Sequence, residues 1–345
     1  MNVSTIGLDL AKNVFQVHAI DEAGEVVVRR SLRRRQMLPY FRKLSPCLIG
    51  VEACGTSHFW ARELAALGHE VRLMPPAYVK PYVRRGKTDA ADAAAICEAV
   101  MRPTMRFVTI KSAEQQSVLA VHRTRDLLVG QRTQLINMIR SQLAEYGVVL
   151  AKGMHHALRL VDRLVEGVVP EIPALACKIA IALAAQVREL GQRIVMLERE
   201  IKAWFRGNDL ARRLETIPGI GYITASALAA TVTDPHQFSS GRQFSASLGL
   251  TPKADCSGGK ARMGHISKMG DRYLRRLLVI GMTSQLQAAQ RKPEAYPWVA
   301  GLLASGKPKK LVAVAMANKA ARIAWVIMTR GEVYRAHRST TEGAV

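Results

Sequence analysis

The chain has 345 residues, of which 49% are hydrophobic, so it can bury the cores of roughly two or three domains and is too apolar to be a disordered tail. Its 50 Lys and Arg against 27 Asp and Glu give a formal net charge of +23, which indicates a polyanionic partner, most commonly nucleic acid. A membrane-surface protein or a ribosomal-type packing protein would carry similar charge, but neither explains the carboxylate pattern described below.

The N-terminal segment predicts no targeting or membrane element. It lacks the basic region and apolar run of a signal peptide, and no uninterrupted apolar stretch of about 18 residues follows. The five cysteines are scattered, without a C-x-x-C pair, which argues against structural zinc. We therefore expect a cytoplasmic protein that does not contact a membrane.

The first third of the chain predicts alternating strands and helices. Strands are predicted at 3–10, 14–20, 25–28, 47–51 and 71–74, and helices in the basic stretch after the third strand, at 57–67 and at 88–101. Thr88 is the expected N-cap of the last helix. The order β-β-β-α-β-α-β-α is that of the RNase H-like fold, so we expect an α/β domain over residues 1–112.

The second region, residues 113–208, is predicted to be helical. Its second half carries an apolar heptad seam with 4-3-4-3-4 spacing, formed by Leu183, Val187, Leu190, Ile194, Leu197 and Ile201. Its first half carries a weaker seam, which Arg125 and Arg132 interrupt. The spacing fits either a helical hairpin within one chain or an oligomerising coiled coil.

The third region, residues 209–345, is expected to be a mainly helical domain that ends in a helix at 311–329. Gly219 and Gly221, in Ile217-Pro-Gly-Ile-Gly221, resemble the glycines of a helix-hairpin-helix element. In such an element, backbone N–H groups bind phosphate at a helix N-terminus without reading base sequence. A tight structural turn explains the same residues.

Four carboxylates are the candidate metal ligands. Asp9 interrupts an apolar strand, Glu52 ends the strand expected beside it, and Asp89 and Asp92 share one helix face. Taken singly, Asp89 suits a helix start and Glu52 a solvated strand end. Four converging carboxylates, however, repel one another unless a divalent cation neutralises them, and Mg²⁺ suits oxygen ligands and phosphate substrates.

Two groups of basic residues near these acids are candidate contacts to nucleic acid. Seven Lys or Arg and no acid lie between residues 29 and 43, a run that is either a solvated face or a backbone contact formed by Arg33, Arg34 and Arg35. A second group precedes the last predicted helix of the first region and is placed to steer a phosphate toward the metal: Arg84, Arg85 and Lys87.

A second constellation surrounds Ser257, which precedes two glycines. Its basic neighbours in the sequence are Lys260, Arg262, Lys268, Arg272 and Arg275. Such cations suit a phosphate, but a serine hydroxyl needs a base or metal to become a nucleophile, and no adjacent residue is an obvious base. From chemistry alone, a solvated Ser-Gly-Gly turn is the simpler interpretation.

Three motifs resemble those of the DEDD-type insertion-sequence transposases. They are Gly7-Leu-Asp9-Leu-Ala-Lys12, Glu52-Ala-Cys-Gly55 and Lys87-Thr-Asp89-Ala-Ala-Asp92, and the resemblance covers nearly the whole chain. It implies a RuvC-like N-terminal domain in a bacterial, nucleoid-associated recombinase. The implied partners are double-stranded DNA (element ends and target), a guide or bridge RNA, and further copies of the chain in a dimer or tetramer.

The resemblance also assigns a role to Ser257. The matching serine of the family attacks the DNA backbone and becomes joined to it, beside the acidic quartet of a neighbouring subunit. Cys256 and Met269 stand where the family pattern leads us to expect Ser and Arg.

Two other functions remain open on the sequence. One is a structure-specific nuclease of the Holliday-junction type, in which activated water attacks the DNA. The other is a non-catalytic nucleic-acid-binding protein with an inactive nuclease-like domain, against which the complete quartet argues.

Overall fold

The computed structural model describes residues 2–83, 88–166, 172–257 and 260–335, with 254–257 and 260–262 described by their backbone. The chain divides into two compact units, Met1–Gln116 and Ser117–Val345. The first is mixed α/β and the second is mostly helical. The finer division at residues 112 and 208 stays a prediction.

The first unit is built on a five-stranded sheet. Its strands are β1 Thr5–Asp9, β2 Val14–Ile20, β3 Val26–Arg33, β4 Leu48–Glu52 and β5 Glu70–Met74. Their order is β3-β2-β1-β4-β5, with antiparallel pairing from β1 to β3 and parallel pairing from β1 through β4 to β5. This topology is consistent with the predicted RNase H-like fold.

Helices cover both faces of this sheet. They are α1 Met37–Phe41, α2 Ser57–Ala66, α3 Pro76–Val79 and α4 Asp89–Val100. On one face Phe15 and Leu32 pack with Trp60 and Leu64 in a buried cluster. On the other face α4 packs across β1, β2 and β4.

The prediction for the basic stretch after the third strand was wrong in part. We expected β3 to end at Val28 and a helix to follow, but β3 continues to Arg33. Of its last five residues only Leu32 is buried, so the charged side chains hide the alternation expected of a strand. A short helical segment begins only at Arg34.

Glycines in β1 and β4 allow α4 to approach the sheet closely. A Cβ on Gly7 would overlap the carbonyl oxygen of Ala93, and one on Gly50 would lie 2.7 Å from Val100 Cβ.

We expect Gly7→Ala to lower the free energy of unfolding by about 1–3 kcal/mol, because a packed interface cannot accept another methyl group without shifting. Urea denaturation of the full chain measures this. Gly55→Ala is the control, since nothing lies within 4 Å of a Cβ there, and equal midpoints would contradict the close packing.

The second unit contains a long helical pair and a compact C-terminal region. Its elements are α5 Ala113–Ala144, which begins at the end of the first unit, then α6 Met154–Val165, α7 Ala174–Gly207, α8 Asp209–Glu215, α9 Tyr222–Thr231, α10 Gly241–Ser247, β6 Pro252–Ser257, β7 Lys260–Ile266, α11 Arg272–Arg291, α12 Pro297–Ala304 and α13 Lys309–Arg330. The predicted final helix corresponds to α13. The β6–β7 hairpin was not predicted, because the Ser-Gly-Gly sequence favours a loop at this position.

The heptad seam of α7 packs within the chain. Arg125 of α5 pairs with Glu198 of α7 at 2.6 Å, while Ile139 of α5 shares a buried cluster with the seam residue Val187 of α7. Because the sequence order is reversed between these contacts, the two helices run antiparallel. The hairpin alternative therefore accounts for the seam, and Arg125 interrupts the weaker seam because it faces an acid. An oligomerising coiled coil stays a prediction.

Helix α13 is long and apolar enough, by length and composition, to cross a membrane. Nine of its residues are nevertheless buried, and they join the main cluster of the second unit with residues of α9 and α11. Helices in the core of a soluble fold have this same composition, and α13 is best described as one of them.

A polar trio joins three helices of the second unit: the buried His122 of α5 and Ser226 of α9, and the partly buried Tyr273 of α11. The Nδ1 atom of His122 lies 3.0 Å from the Tyr273 hydroxyl, and its Nε2 atom lies 3.1 Å from Ser226 Oγ. Burial and the nearby Arg125 charge lower the pKa of His122 to about 4. Between this pKa and 6.5, the unfolded chain therefore binds more protons than the folded chain.

We expect this histidine to make the second unit acid-sensitive. Its contribution to stability is complete above about pH 6.5 and falls by about 2 kcal/mol on going to about pH 5, at 1.36 kcal/mol per pH unit. Urea denaturation followed by tryptophan fluorescence, at about pH 7.5 and pH 5, measures the loss in wild type and His122→Gln. The wild type should lose more than the variant, and parallel losses would contradict the assignment. Other titrating groups are the same in both proteins, so their contributions to the loss of stability cancel in the comparison.

Candidate metal centre

The strand ends and one helix start of the first unit bring carboxylates to one edge of the sheet. Leu8 of β1 pairs with Val51 of β4 in parallel register, so Asp9 and Glu52 end neighbouring strands side by side. Helix α4 begins with Asp89 and Asp92 in its first turn. Its N-cap is Thr88, as predicted, whose Oγ1 accepts a hydrogen bond of 3.2 Å from the backbone N–H of Ala91.

Three of the four predicted carboxylates form the centre of the site. Asp9, Asp89 and Asp92 each offer an oxygen within 4.8 Å of the others. Glu52 is not among these closest ligand atoms, but its charge acts on Asp9. Burial is the largest cause that raises the pKa of Asp9 to about 6, followed by the charges of Asp92, Asp89 and Glu52. The folded chain thus holds like charges together against their repulsion.

The donor set fits a hard divalent cation. All of the grouped ligand atoms are carboxylate oxygens, and within the described part of the chain no thiolate or imidazole joins the group. Oxygen ligands suit Mg²⁺, Mn²⁺ or Ca²⁺, whereas Zn²⁺ and Cu²⁺ favour nitrogen and sulfur. Asp9, Asp89 and Asp92, with Glu52 at the margin, are the residues that would hold such an ion.

An RNase H-like sheet with carboxylates from its first strand, its fourth strand and the helix packed across it defines a class of metal-dependent enzymes that process nucleic acids. The comparisons with known proteins narrow this class. Residues 6–148 match a family model described as a transposase of the DEDD type, and residues 211–297 match the Transposase IS116/IS110/IS902 family. The four carboxylates lie in the first matched range and Ser257 lies in the second.

Relatives match along nearly the whole chain. A probable family 20 transposase of Pseudomonas aeruginosa is 48% identical over 97% of this chain and 99% of its own length. The transposase for insertion sequence element IS1328 of Yersinia enterocolitica is 39% identical over 96% and 99%. The transposase for IS1111A of Coxiella burnetii is 39% identical over 97% and 92%. The chain belongs to the IS116/IS110/IS902 family of insertion-sequence transposases, which are DNA-processing enzymes.

Ser257 lies at the tip of the β6–β7 hairpin, where it pairs with Lys260. At the base, the backbone N–H of Ser267 donates to the carbonyl oxygen of Thr251 at 2.8 Å. Arg262, on β7, pairs with Asp255 of β6 in the backbone register. The serine is therefore carried on a defined strand pair rather than on the open loop that we expected.

Two interlocked turns form the base of this hairpin. Gly249 follows α10 and Gly270 precedes α11, both with positive φ, and a Cβ on Gly270 would overlap the carbonyl oxygen of Ser247. The Nη1 atom of Arg275 donates to the carbonyl oxygens of Leu248 at 2.9 Å and Met269 at 2.7 Å. Arg275, a predicted nucleic-acid contact, thus has a structural role in tying the two turns together.

The other glycine motif also has a packing explanation. Gly219 has φ +86°, and a Cβ there would lie 2.5 Å from Met282 Cε and 3.1 Å from the carbonyl oxygen of Gly281 on α11. Gly221 is exposed and precedes α9. The close contact with α11 supports the structural-turn interpretation for Gly219, while phosphate binding at Gly221 stays a prediction.

The remaining predicted basic contacts differ in their surroundings. Arg34 lies over the rings of Phe15 and Trp60 and donates to the carbonyl oxygen of Lys12, so its guanidinium is partly used inside the fold. Exposed side chains that remain available to a partner are Arg33, Arg35, Lys268 and Arg272. Three predicted contacts lie outside the described residues, Arg84, Arg85 and Lys87, and two more, Lys260 and Arg262, are described by their backbone alone.

Proposed function

We propose that this transposase cuts and rejoins double-stranded DNA at element ends and target, with Ser257 as nucleophile and Mg²⁺ held by Asp9, Glu52, Asp89 and Asp92. The observation that carries the metal half of the proposal is the carboxylate cluster, in which the pKa of Asp9 is raised to about 6. A cation bound there would relieve the repulsion and supply positive charge for phosphodiester oxygens.

The serine half of the proposal rests on family membership and on the position of Ser257 at a hairpin tip beside glycines and cations. In the proposed step, a bond forms between Ser257 Oγ and phosphorus. The bond from phosphorus to one sugar oxygen breaks, and that oxygen leaves as a hydroxyl after taking up a proton, which balances the proton lost by the serine. Rejoining is the reverse, with a DNA hydroxyl displacing Ser257 Oγ.

The proposed assembly has further partners. A guide RNA would select the two DNA sequences, and the exposed basic side chains of the chain are candidates to bind it. A dimer or tetramer would let the serine of one subunit act beside the carboxylates of another. Sequencing of RNA that copurifies with the protein tests the guide: loops matching an element end and a target support it, and random cellular RNA contradicts it.

The experiment that tests the reaction is the isolation of a covalent adduct. Purified protein is incubated with element-end DNA and Mg²⁺, denatured, digested with trypsin and nuclease, and the DNA-linked peptide is identified by mass spectrometry. The proposal expects a nucleotide attached to the peptide that contains Ser257. Simple hydrolysis products without an adduct would instead support the activated-water nuclease, and DNA binding without cleavage would support the non-catalytic protein.

A further inference from the structure

A polar strip crosses the sheet of the first unit, starting at the carboxylate centre. Asp9 of β1 pairs with Gln16 of β2, and Gln16 pairs with Ser31 of β3, whose Oγ donates to Gln16 Oε1 at 2.9 Å. Residues directly opposite each other on neighbouring strands face the same side of a sheet. Asp9, Gln16 and Ser31 therefore lie in one row on the face that α4 covers.

A second row runs parallel to the first, two residues along each strand. Gly7 of β1 pairs with His18 of β2, which pairs with Arg29 of β3. Gly7 contacts α4, which fixes the face of the whole row. The strip thus runs from carboxylates at β1 to an exposed guanidinium at β3, over two strand spacings of about 5 Å each.

A cleft of about 400 Å³ lies between this strip and α4. Its floor includes Gln16, His18, Arg29 and Ser31, and its wall is formed by Ala90, Ala91 and Ala94. Gln16 pairs with Asp9, and the alanines belong to the same first turns of α4 as Asp89 and Asp92, so the cleft lies beside the carboxylate centre. Because the wall carries only methyl groups, it leaves room for a backbone to lie against the strip.

The charge of the cleft selects an anionic ligand. Its described lining contains no acid and includes Arg29, which lies in the row that faces α4, and the carboxylates stand at its β1 end. A phosphodiester strand matches this layout, because one linkage can lie at the carboxylates through a cation while a neighbouring linkage lies at the guanidinium. A peptide or a small anion would not need both a cation held by the carboxylates and a guanidinium about two strands away.

We infer that this cleft is a channel for the DNA backbone, in which Arg29 binds a phosphate next to, or one further from, the linkage at the carboxylate centre. Gln16, Ser31 and His18 then offer hydrogen bonds to the same stretch of backbone. The inference rests on the proposed function in one respect, that DNA is held at the carboxylates. It assigns Arg29 as a positioning residue, whereas the contacts predicted from the sequence in this basic run were Arg33, Arg34 and Arg35.

The alternation of β3 supplies a matched control. Arg30 is adjacent to Arg29 and also borders the cleft, but it pairs with Val17, and its guanidinium lies over the ring of Tyr40 at 5.8 Å, on the opposite face of the sheet. Arg29→Ala and Arg30→Ala remove the same charge from the same strand. A difference in DNA binding between the two variants therefore depends on which face of the sheet the arginine occupies, and not on the net charge.

The test measures the binding of full-length protein to a duplex DNA of arbitrary sequence over a series of salt concentrations, with Mg²⁺ present. Backbone contacts do not need a specific sequence. We expect Arg29→Ala to weaken binding about tenfold and to reduce the slope of log affinity against log salt by about one, while Arg30→Ala stays within about twofold of wild type. Circular dichroism and urea midpoints confirm that both variants fold.

Equal effects of the two substitutions, or an unchanged salt slope for Arg29→Ala, would overturn the channel. Asp9→Asn separates this outcome from a failure of the proposed function. If Mg²⁺ strengthens DNA binding by the wild type but not by Asp9→Asn, the metal centre stands whatever Arg29→Ala does. If Mg²⁺ has no effect on either protein, the metal centre fails, while the salt slopes still decide the channel.

Discussion

Asp9→Asn is expected to abolish Mg²⁺-dependent strand cleavage, by about a hundredfold or more, while making the metal-free protein more stable. The carboxamide keeps the shape of the side chain but removes the negative charge that a divalent cation needs. It also removes a repulsion that the folded chain bears, because burial and three acids raise the pKa of Asp9 from 3.8 to about 6.

The pH dependence of this stabilisation has a defined sign. The folded carboxyl has the higher pKa, so the penalty is absent below about pH 4 and complete above about pH 6. The full shift corresponds to about 3 kcal/mol, and solvent screening of this half-buried group reduces the expected gain to about 1–2 kcal/mol. Metal-free Asp9→Asn should therefore unfold at a higher temperature than wild type at pH 7.5, with little difference at pH 4.

Thermal unfolding with and without Mg²⁺ measures both effects on the same samples. The wild type should be stabilised by Mg²⁺ and the variant should not. Glu22→Gln is the control, because it removes one negative charge from an exposed turn of the same sheet. A variant that is less stable than wild type without metal, or that Mg²⁺ stabilises as much, would contradict the assignment of Asp9.

Ser257→Ala is expected to remove the covalent protein–DNA adduct and strand transfer altogether, because no other hydroxyl at the hairpin tip can take its place in the bond to phosphorus. Binding of DNA and the Mg²⁺-induced rise in unfolding temperature should remain, since neither depends on the serine oxygen. The adduct is measured as DNA that stays with denatured protein on a gel.

Ser267→Ala provides the comparison, because it removes a serine hydroxyl at the base of the same hairpin. It should retain adduct formation. A mixture of Asp9→Asn and Ser257→Ala proteins, each inactive alone, should recover strand transfer if serine and carboxylates come from different subunits. Adduct that persists with Ser257→Ala would remove the serine from the mechanism, whatever the mixture does.

The first unit was largely predictable because its pattern is local and apolar. The strands that carry Asp9 and Glu52 are runs of buried residues. Thr88 indicates the start of α4, because threonine is a favourable N-cap residue. The extension of β3 was missed because it is an edge strand, with Arg on both faces and only Leu32 buried in its second half. The period of hydrophobic residues cannot reveal a strand in which most side chains on both faces are exposed and polar.

The second unit was less predictable because its key contacts are distant in the sequence. A count of cations placed Arg275 among the phosphate contacts, but only the fold brings its guanidinium to the carbonyl oxygens of Leu248 and Met269. The spacing of the α7 seam predicted an apolar face but not its partner. Likewise, Gly219 suggested a phosphate-binding turn, and its contact with Gly281 emerges only when α11 is in place.

The interlocked turns beneath the β6–β7 hairpin have a consequence for how this transposase can diversify. Neither Gly249 nor Gly270 has room for a side chain, so the two turns at the base of the hairpin tolerate few substitutions. Within the described part of the hairpin, a Cβ on Gly264 would lie 3.6 Å from the carbonyl oxygen of Lys253, which is an ordinary contact. We therefore expect changes of hairpin length to be tolerated beyond these two glycines better than at them, because the crowded positions belong to the base.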